Sequence, residues 1–199
     1  MDRTGKPRFI QRIKEQAIIM NAGEQLVADY LQYIKKCQFV QQNLPTTEEQ
    51  GEIDVVGIDT NLKIIYICEV AIHLETGLQY TKGNQTNNVS KFIEKFERCN
   101  NYASVHWKGY QHIFMLWSPI IKSPKKEFSH SQLKDVKEIV EKLQIRGINI
   151  IPIINQDFMN CIEELKDYAL TTSKELKSPI MRYMQIESKL KKHINKLNI

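Results

Sequence analysis

GEIDVVGI (residues 51–58) and KIIYICEVAIH (residues 63–73) are two β-branched runs separated by the short polar segment DTNL. Runs of this composition around a tight turn form an antiparallel hairpin. Each run carries one acid in its middle. Asp54 lies among Ile53, Val55 and Val56, and Glu69 is flanked by Ile67, Cys68, Val70 and Ala71. Desolvating an unpaired carboxylate costs several kcal/mol, so such positions need a partner. With the turn centred on Thr60 and Asn61, Asp54 falls opposite Ile67. Side-chain alternation then brings Glu69 to the same face, one diagonal step away. Two carboxylates that close repel and push one pKa upward unless a cation sits between them. Mg²⁺ (or Mn²⁺) fits, because a hard divalent ion asks for one or two carboxylates and takes the rest of its shell from water and phosphate. The alternative is that Asp54 ends a strand and Glu69 pairs with a lysine; a one-residue change of register would separate the two acids.

Working outward, a helix is predicted from about Lys6 to Lys36, and its second part carries Leu26, Val27, Tyr30, Leu31 and Ile34 at helical spacing. Phe39 to Leu44 reads as a short strand closed by Pro45. After the hairpin comes a loop with Gly77 and Gly83, then a helix from about Asn87 to Tyr102 whose apolar face is Val89, Phe92, Ile93 and Phe96. His112 to Pro119 is a buried strand, Ser129 to Gln144 a helix, and Ile148 to Ile154 a strand that Pro152 places at an edge. Two helices, about Asp157 to Lys174 and Ser178 to Lys196, close the chain. This order excludes a doubly wound nucleotide-binding sheet, which alternates strand and helix from its start, and neither GxGxxG nor GxxxxGK[ST] is present.

A helix carrying Glu24 in AGEQLVADYL, then GEIDVVGID, then IIYICEVAIH, then a helix with lysines, resembles the PD-(D/E)XK nuclease superfamily over roughly residues 15–120. The resemblance implies an α/β, restriction-endonuclease-like αβββαβ core with a mixed central sheet flanked by helices, plus C-terminal helices. It implies that Glu24, Asp54 and Glu69 bind Mg²⁺ and that the chain hydrolyses phosphodiester bonds, with DNA the expected polymer. Two positions depart from the pattern: Ile53 stands where the family has Pro, and Ala71 where it has the strand lysine. Some branches move that lysine to the following helix, where this chain has Lys91 and Lys95. On a helical wheel Lys91 points away from the apolar face and Lys95 lies at its margin, so Lys95 is the stronger candidate.

His73 is expected on the Glu69 face two pleats further on, within reach of a phosphate. Tyr80, Lys82 and Gln85 occupy the loop beside the site and are candidate substrate contacts. Trp107, Tyr110, Phe114 and Trp117 read as core or sheet-edge packing rather than a base-stacking platform.

The net charge of +5 is modest, but the cations concentrate at the C-terminus, where Lys189, Lys191 and Lys192 are candidate nucleic-acid contacts. The division expected is a nuclease core over residues 1–156 and a basic helical appendage over residues 157–199. Ile180, Tyr183, Met184, Ile186, Leu190 and Ile194 form a stripe through which the terminal helices could dimerise. The four cysteines form no CxxC pair, which argues against a zinc ribbon. No apolar run reaches the roughly 20 residues of a membrane span, so a cytoplasmic protein without membrane contact is expected. The competing function is a catalytically inactive nucleic-acid-binding or interaction subunit on the same fold, which Ala71 favours.

Overall fold

Strand order in this protein follows from which β-branched runs are joined by turns and which by helices. A computed structural model describes residues 21–47, 50–83, 85–123 and 131–197. The predicted helix between Lys6 and Met20 and the predicted helix start at Ser129 lie outside the described residues. A helix, α1 (Ala22–Asp29), runs on into a π-helical turn (Tyr30–Ile34) and leads to β1 (Phe39–Pro45), β2 (Glu52–Asp59) and β3 (Ile64–Val70). A two-stranded ribbon, β4 (Thr81–Lys82) and β5 (Gln85–Thr86), stands where the sequence predicts only loop. Then come α2 (Asn88–His106), β6 (Gln111–Ser118), α3 (Gln132–Ile145), β7 (Ile150–Ile154), α4 (Gln156–Thr171) and α5 (Pro179–Lys196).

The main sheet has five strands in the order β1-β2-β3-β6-β7. Its first three strands are antiparallel neighbours, while β3, β6 and β7 run parallel. Parallel pairing needs a crossover, and α2 and α3 supply the two crossovers. The result is a mixed α/β fold with a five-stranded mixed sheet flanked by helices, completed by the C-terminal helices. Pro152 lies in β7, the edge strand that the sequence predicts for it.

Strand alternation divides the core into two layers. Val56, Ile65, Ile67, Phe114 and Leu116 face one side and pack with Phe92 and Phe96 of α2 and Ile139 and Leu143 of α3. Val55, Tyr66, Cys68, Met115 and Trp117 face the other, against Val27 and Leu31, Phe158 and Leu165 of α4, and Met181 and Met184 of α5. The described part of the C-terminal segment, residues 157–197, therefore packs on the second face of the sheet. No described helix is long and apolar enough to cross a membrane.

The hairpin register differs from the expected one. Val56, not Asp54, faces Ile67, and Asp59 faces Ile64, so the connection is four residues long rather than centred on Thr60 and Asn61. A two-residue turn of the favoured type needs positive φ at both central positions, which β-branched Thr60 resists. Instead the Asp59 carboxylate accepts the backbone N–H groups of Asn61 and Leu62, at 2.9 and 3.0 Å, and Lys63 takes the left-handed conformation with φ 54°. The shift moves the pairing by an even number of residues. Both acids keep their face.

Gly57 of β2 lies directly against Leu31 of the π-helical turn and Cys37 after it. A Cβ there would stand 2.9 Å from both Cys37 Sγ and a Leu31 methyl. Gly57→Ala is expected to cost about 1–3 kcal/mol through overpacking, measured by urea denaturation.

Candidate active site

The antiparallel ladder between β2 and β3 stops at Val55 opposite Cys68. One further step would set Asp54 against Glu69. Instead the Asp54 carboxylate takes the place of a backbone partner, its Oδ2 accepting the Val70 N–H at 2.7 Å. The other neighbour of Asp54 is irregular too. Gln42 pairs with Val55 and Leu44 with Ile53, but Asn43 between them adopts φ 51°. This break sits at the position of the acid.

Helix α2 supplies the counter-charge. Phe92 and Phe96 are fully buried in the first core layer and fix the rotation of the helix. That rotation carries Lys95 to the edge of the apolar face, where its ammonium donates to Glu69 Oε2 and lies 3.6 Å from Asp54 Oδ2. One turn further on, the Cys99 thiol donates to Glu69 Oε1 at 3.3 Å. Glu69, 0% exposed, thus has both carboxylate oxygens engaged. The structure brings Asp54, Glu69 and Lys95 together. Cys99 was legible only as the residue four after Lys95 on the same helix face.

The electrostatics of the pair are lopsided. Burial pushes the Glu69 carboxyl up to about 7, the Asp54 charge adds to the effect, and Lys95 only partly reverses it. Burial acts to lower the Lys95 ammonium, but the two carboxylates outweigh it and hold the lysine above its ordinary range. Lys95 is therefore charged throughout the neutral range, and the cluster is short of positive charge rather than of negative. A hard cation suits this donor set, since Mg²⁺ needs only one or two carboxylates from the protein.

Glu24, in the first turn of α1, reaches the same region from the side. Its Oε1 accepts from Asn21, the N-cap residue, at 2.5 Å and its Oε2 from Asn43 at 3.0 Å. Burial raises its pKa, the amide of Asn43 opposes the rise, and it stands close enough to Asp54 for the charges to repel. Neither asparagine was singled out from the sequence. Among the described residues, no three carboxylate, imidazole or thiol groups are grouped tightly enough to cage an ion unaided.

Of the predicted loop contacts, Tyr80 is placed best. Its ring meets Phe92 edge-on at 5.3 Å, and burial raises its phenol within the field of Lys95, Asp54 and Glu69. Two buried amides hold the loop. Asn88 accepts from the Tyr80 N–H at 2.7 Å and donates to Leu78 and Asp135, while Gln132 accepts from Leu78 and Lys122 and donates to Thr76. Gly77 fits beneath Gln132 with φ 66°, and a Cβ there would lie 2.6 Å from the Ile120 carbonyl.

His73 departs from its predicted position. β3 ends at Val70, whose N–H goes to the Asp54 carboxylate rather than to a backbone carbonyl of β2. His73 is an exposed residue of the segment after the strand, 6.4 Å ring to ring from Tyr80, and not a strand residue on the Glu69 face. Lys82 and Gln85 are exposed on the β4–β5 ribbon. Lys91 pairs with Glu94 at 3.6 Å instead of the hairpin acids. Lys189, Lys191 and Lys192 are exposed on α5, whose buried residues pack on the opposite face of the sheet, and Lys191 pairs with Glu187 at 2.6 Å.

No protein-family model matches this chain, and neither a curated protein nor a solved structure matches it.

Because the Glu69 carboxyl binds its proton more tightly in the folded chain than in the unfolded one, it favours folding below its unfolded pKa, and that contribution is lost as pH rises from 4.5 through about 7. In EDTA, wild type is expected to lose more unfolding free energy between the acid and alkaline ends of this window than Glu69→Gln. Urea melts of both proteins at each end measure the difference; parallel profiles would show that Glu69 does not titrate there.

Proposed function

We propose that this chain is a metal-dependent phosphodiesterase acting on nucleic acid, with DNA as the expected polymer and Asp54, Glu69 and Lys95 as its working residues. The observation that carries the reading is the approach of Lys95, from a helix, to two buried hairpin carboxylates. Ala71, buried at 2% exposure, offers no cation from the strand, and Lys95 occupies the role that the resemblance gives to the absent strand lysine.

Asp54 and Glu69 would hold Mg²⁺ or Mn²⁺, with Glu24 engaged directly or through water. When bound, such an ion polarises the scissile phosphate and lowers the pKa of a coordinated water. The remaining work belongs to the chain itself. Lys95 presents its ammonium beside the carboxylates and can steady the attacking or the departing oxygen by a hydrogen bond, keeping its own proton. Cys99 and the Val70 N–H fix the orientation of Glu69 and Asp54, so that neither acid must reorganise when substrate arrives. Tyr80, packed edge-on against Phe92, stands on the side of the site formed by its loop, within the field of Lys95 and the two acids.

A second reading has its own support. Lys95 already satisfies both acids, as a purely structural ion cluster would, and a nucleic-acid-binding or interaction subunit needs nothing more. The two readings diverge when Lys95 is removed. In EDTA, Lys95→Ala leaves two buried carboxylates without a cation and is expected to lose about 3–5 kcal/mol of stability. If the acids hold metal, Mg²⁺ restores more stability to the variant than it adds to wild type; if the cluster is structural only, the loss persists.

Activity is the direct test. Purified protein with plasmid, linear, branched and single-stranded substrates is expected to cleave in Mg²⁺ or Mn²⁺ and not in EDTA. Asp54→Asn and Glu69→Gln are expected to lower the rate on the order of 10²–10³-fold. Binding without cleavage of every substrate would overturn the hydrolase reading.

A further inference from the structure

Strand β2 links the carboxylates to a hollow on the β1 side of the sheet. Along it Asp54, Val56 and Ile58 follow at two-residue steps, so that Ile58 lies about 13 Å beyond Asp54 by strand rise. Lys95, Arg98 and Tyr102 follow one another at helical spacing on one side of α2. Arg98 is held at the acid end by a hydrogen bond to the Glu52 carbonyl at 3.2 Å, with its guanidinium packed against Gly51.

The hollow measures about 520 Å³ and is lined by Phe39 and Gln41 of β1 beside Ile58 and Val56 of β2, together with Tyr102 and Trp107. None of the residues lining it is charged. The Tyr102 and Trp107 rings meet edge-on at 5.2 Å, and Phe39, on the edge strand, is 65% exposed. At the outer end exposed Lys108 stands next to Trp107, while at the inner end Lys95 is taken up by the two carboxylates and Arg98 is buried.

We infer that this hollow takes unpaired nucleobases, so that the substrate of the carboxylate site is a nucleic acid with a single-stranded stretch beside the scissile bond. The inference rests on the phosphodiesterase reading above. Its warrant is a match of chemistry along one path. Aromatic faces and side-chain amides, without charge, suit bases, and exposed Lys108 at the outer end suits a backbone phosphate. Bases inside a duplex are already stacked and paired and cannot offer their faces to Phe39 or Trp107. A single strand can. The continuity of β2 from Ile58 to Asp54 places the hollow a short step along the same strand from the bond to be cut.

The test is equilibrium binding by the full chain in EDTA, where no cleavage interferes, using a labelled oligodeoxynucleotide, the matching oligoribonucleotide and the DNA as a duplex. The single strands are expected to bind more tightly than the duplex and to quench tryptophan emission, the deoxy and ribo arms showing which sugar is preferred. Phe39→Ala should weaken single-strand binding about tenfold while leaving duplex binding and the melting temperature unchanged, since the ring is exposed. Trp107→Phe should abolish the quench and retain most of the affinity. Equal affinity for duplex and single strand, or normal single-strand binding by Phe39→Ala, would overturn the inference. The two proposals fail separately. Phe39-dependent single-strand binding without cleavage in Mg²⁺ or Mn²⁺ defeats the hydrolase and supports the hollow, while metal-dependent cleavage indifferent to Phe39→Ala defeats the hollow and supports the hydrolase.

Discussion

The buried ion cluster at the open end of the hairpin is the constraint around which this structure is arranged. Two carboxylates stand side by side on the α2 face of the sheet, and one ammonium answers both. Neither acid could be retained there alone, because the cost of an unpaired buried charge is a large fraction of the stability of a domain this size. The rotation of α2, set by Phe92 and Phe96, is therefore an electrostatic requirement as well as a packing one. Turning the helix by one residue would withdraw Lys95 from the acids and Cys99 from Glu69.

The surrounding polar contacts serve the same constraint. Asp54 receives a backbone N–H that a regular ladder would have spent elsewhere, and Glu24 is held by two asparagine amides rather than by a cation. The loop carrying Tyr80 is tied down by Asn88 and Gln132, both buried, so that the ring against Phe92 is positioned by amide chemistry and not by apolar packing alone. Charge, backbone irregularity and loop anchoring converge on one region of one face.

Much of this was legible from residue patterns. Period-two and period-3.6 hydrophobicity located the strands of the main sheet and the described helices, and acids inside β-branched runs marked Asp54 and Glu69 before any geometry was known. The helical wheel separated Lys95 from Lys91 because the ring positions of Phe92 and Phe96 fix which side of the helix is inward. The turn was misjudged by local chemistry: Asp59 capping two amides and Lys63 in the left-handed region have no periodic signature. His73 was misplaced because the strand ends through a side-chain-to-backbone bond that pattern cannot reveal. Asn43, Asn88 and Gln132 have no spacing to betray them, because each contributes through a partner distant in sequence or through an irregular backbone. Asn21, three residues before Glu24, and Cys99, four after Lys95, carry a local signal, but one shared by many caps and helix positions.

The interruption at Asn43 also bears on how copies of this chain behave beside one another. β1 and β7 are the two borders of the sheet, and each is broken within its length, β1 by the left-handed Asn43 and β7 by Pro152, which has no N–H to offer. A border of that kind is a poor template for the addition of a foreign strand. The distortion that makes room for a buried acid thus also guards one margin of the sheet against edge-to-edge aggregation.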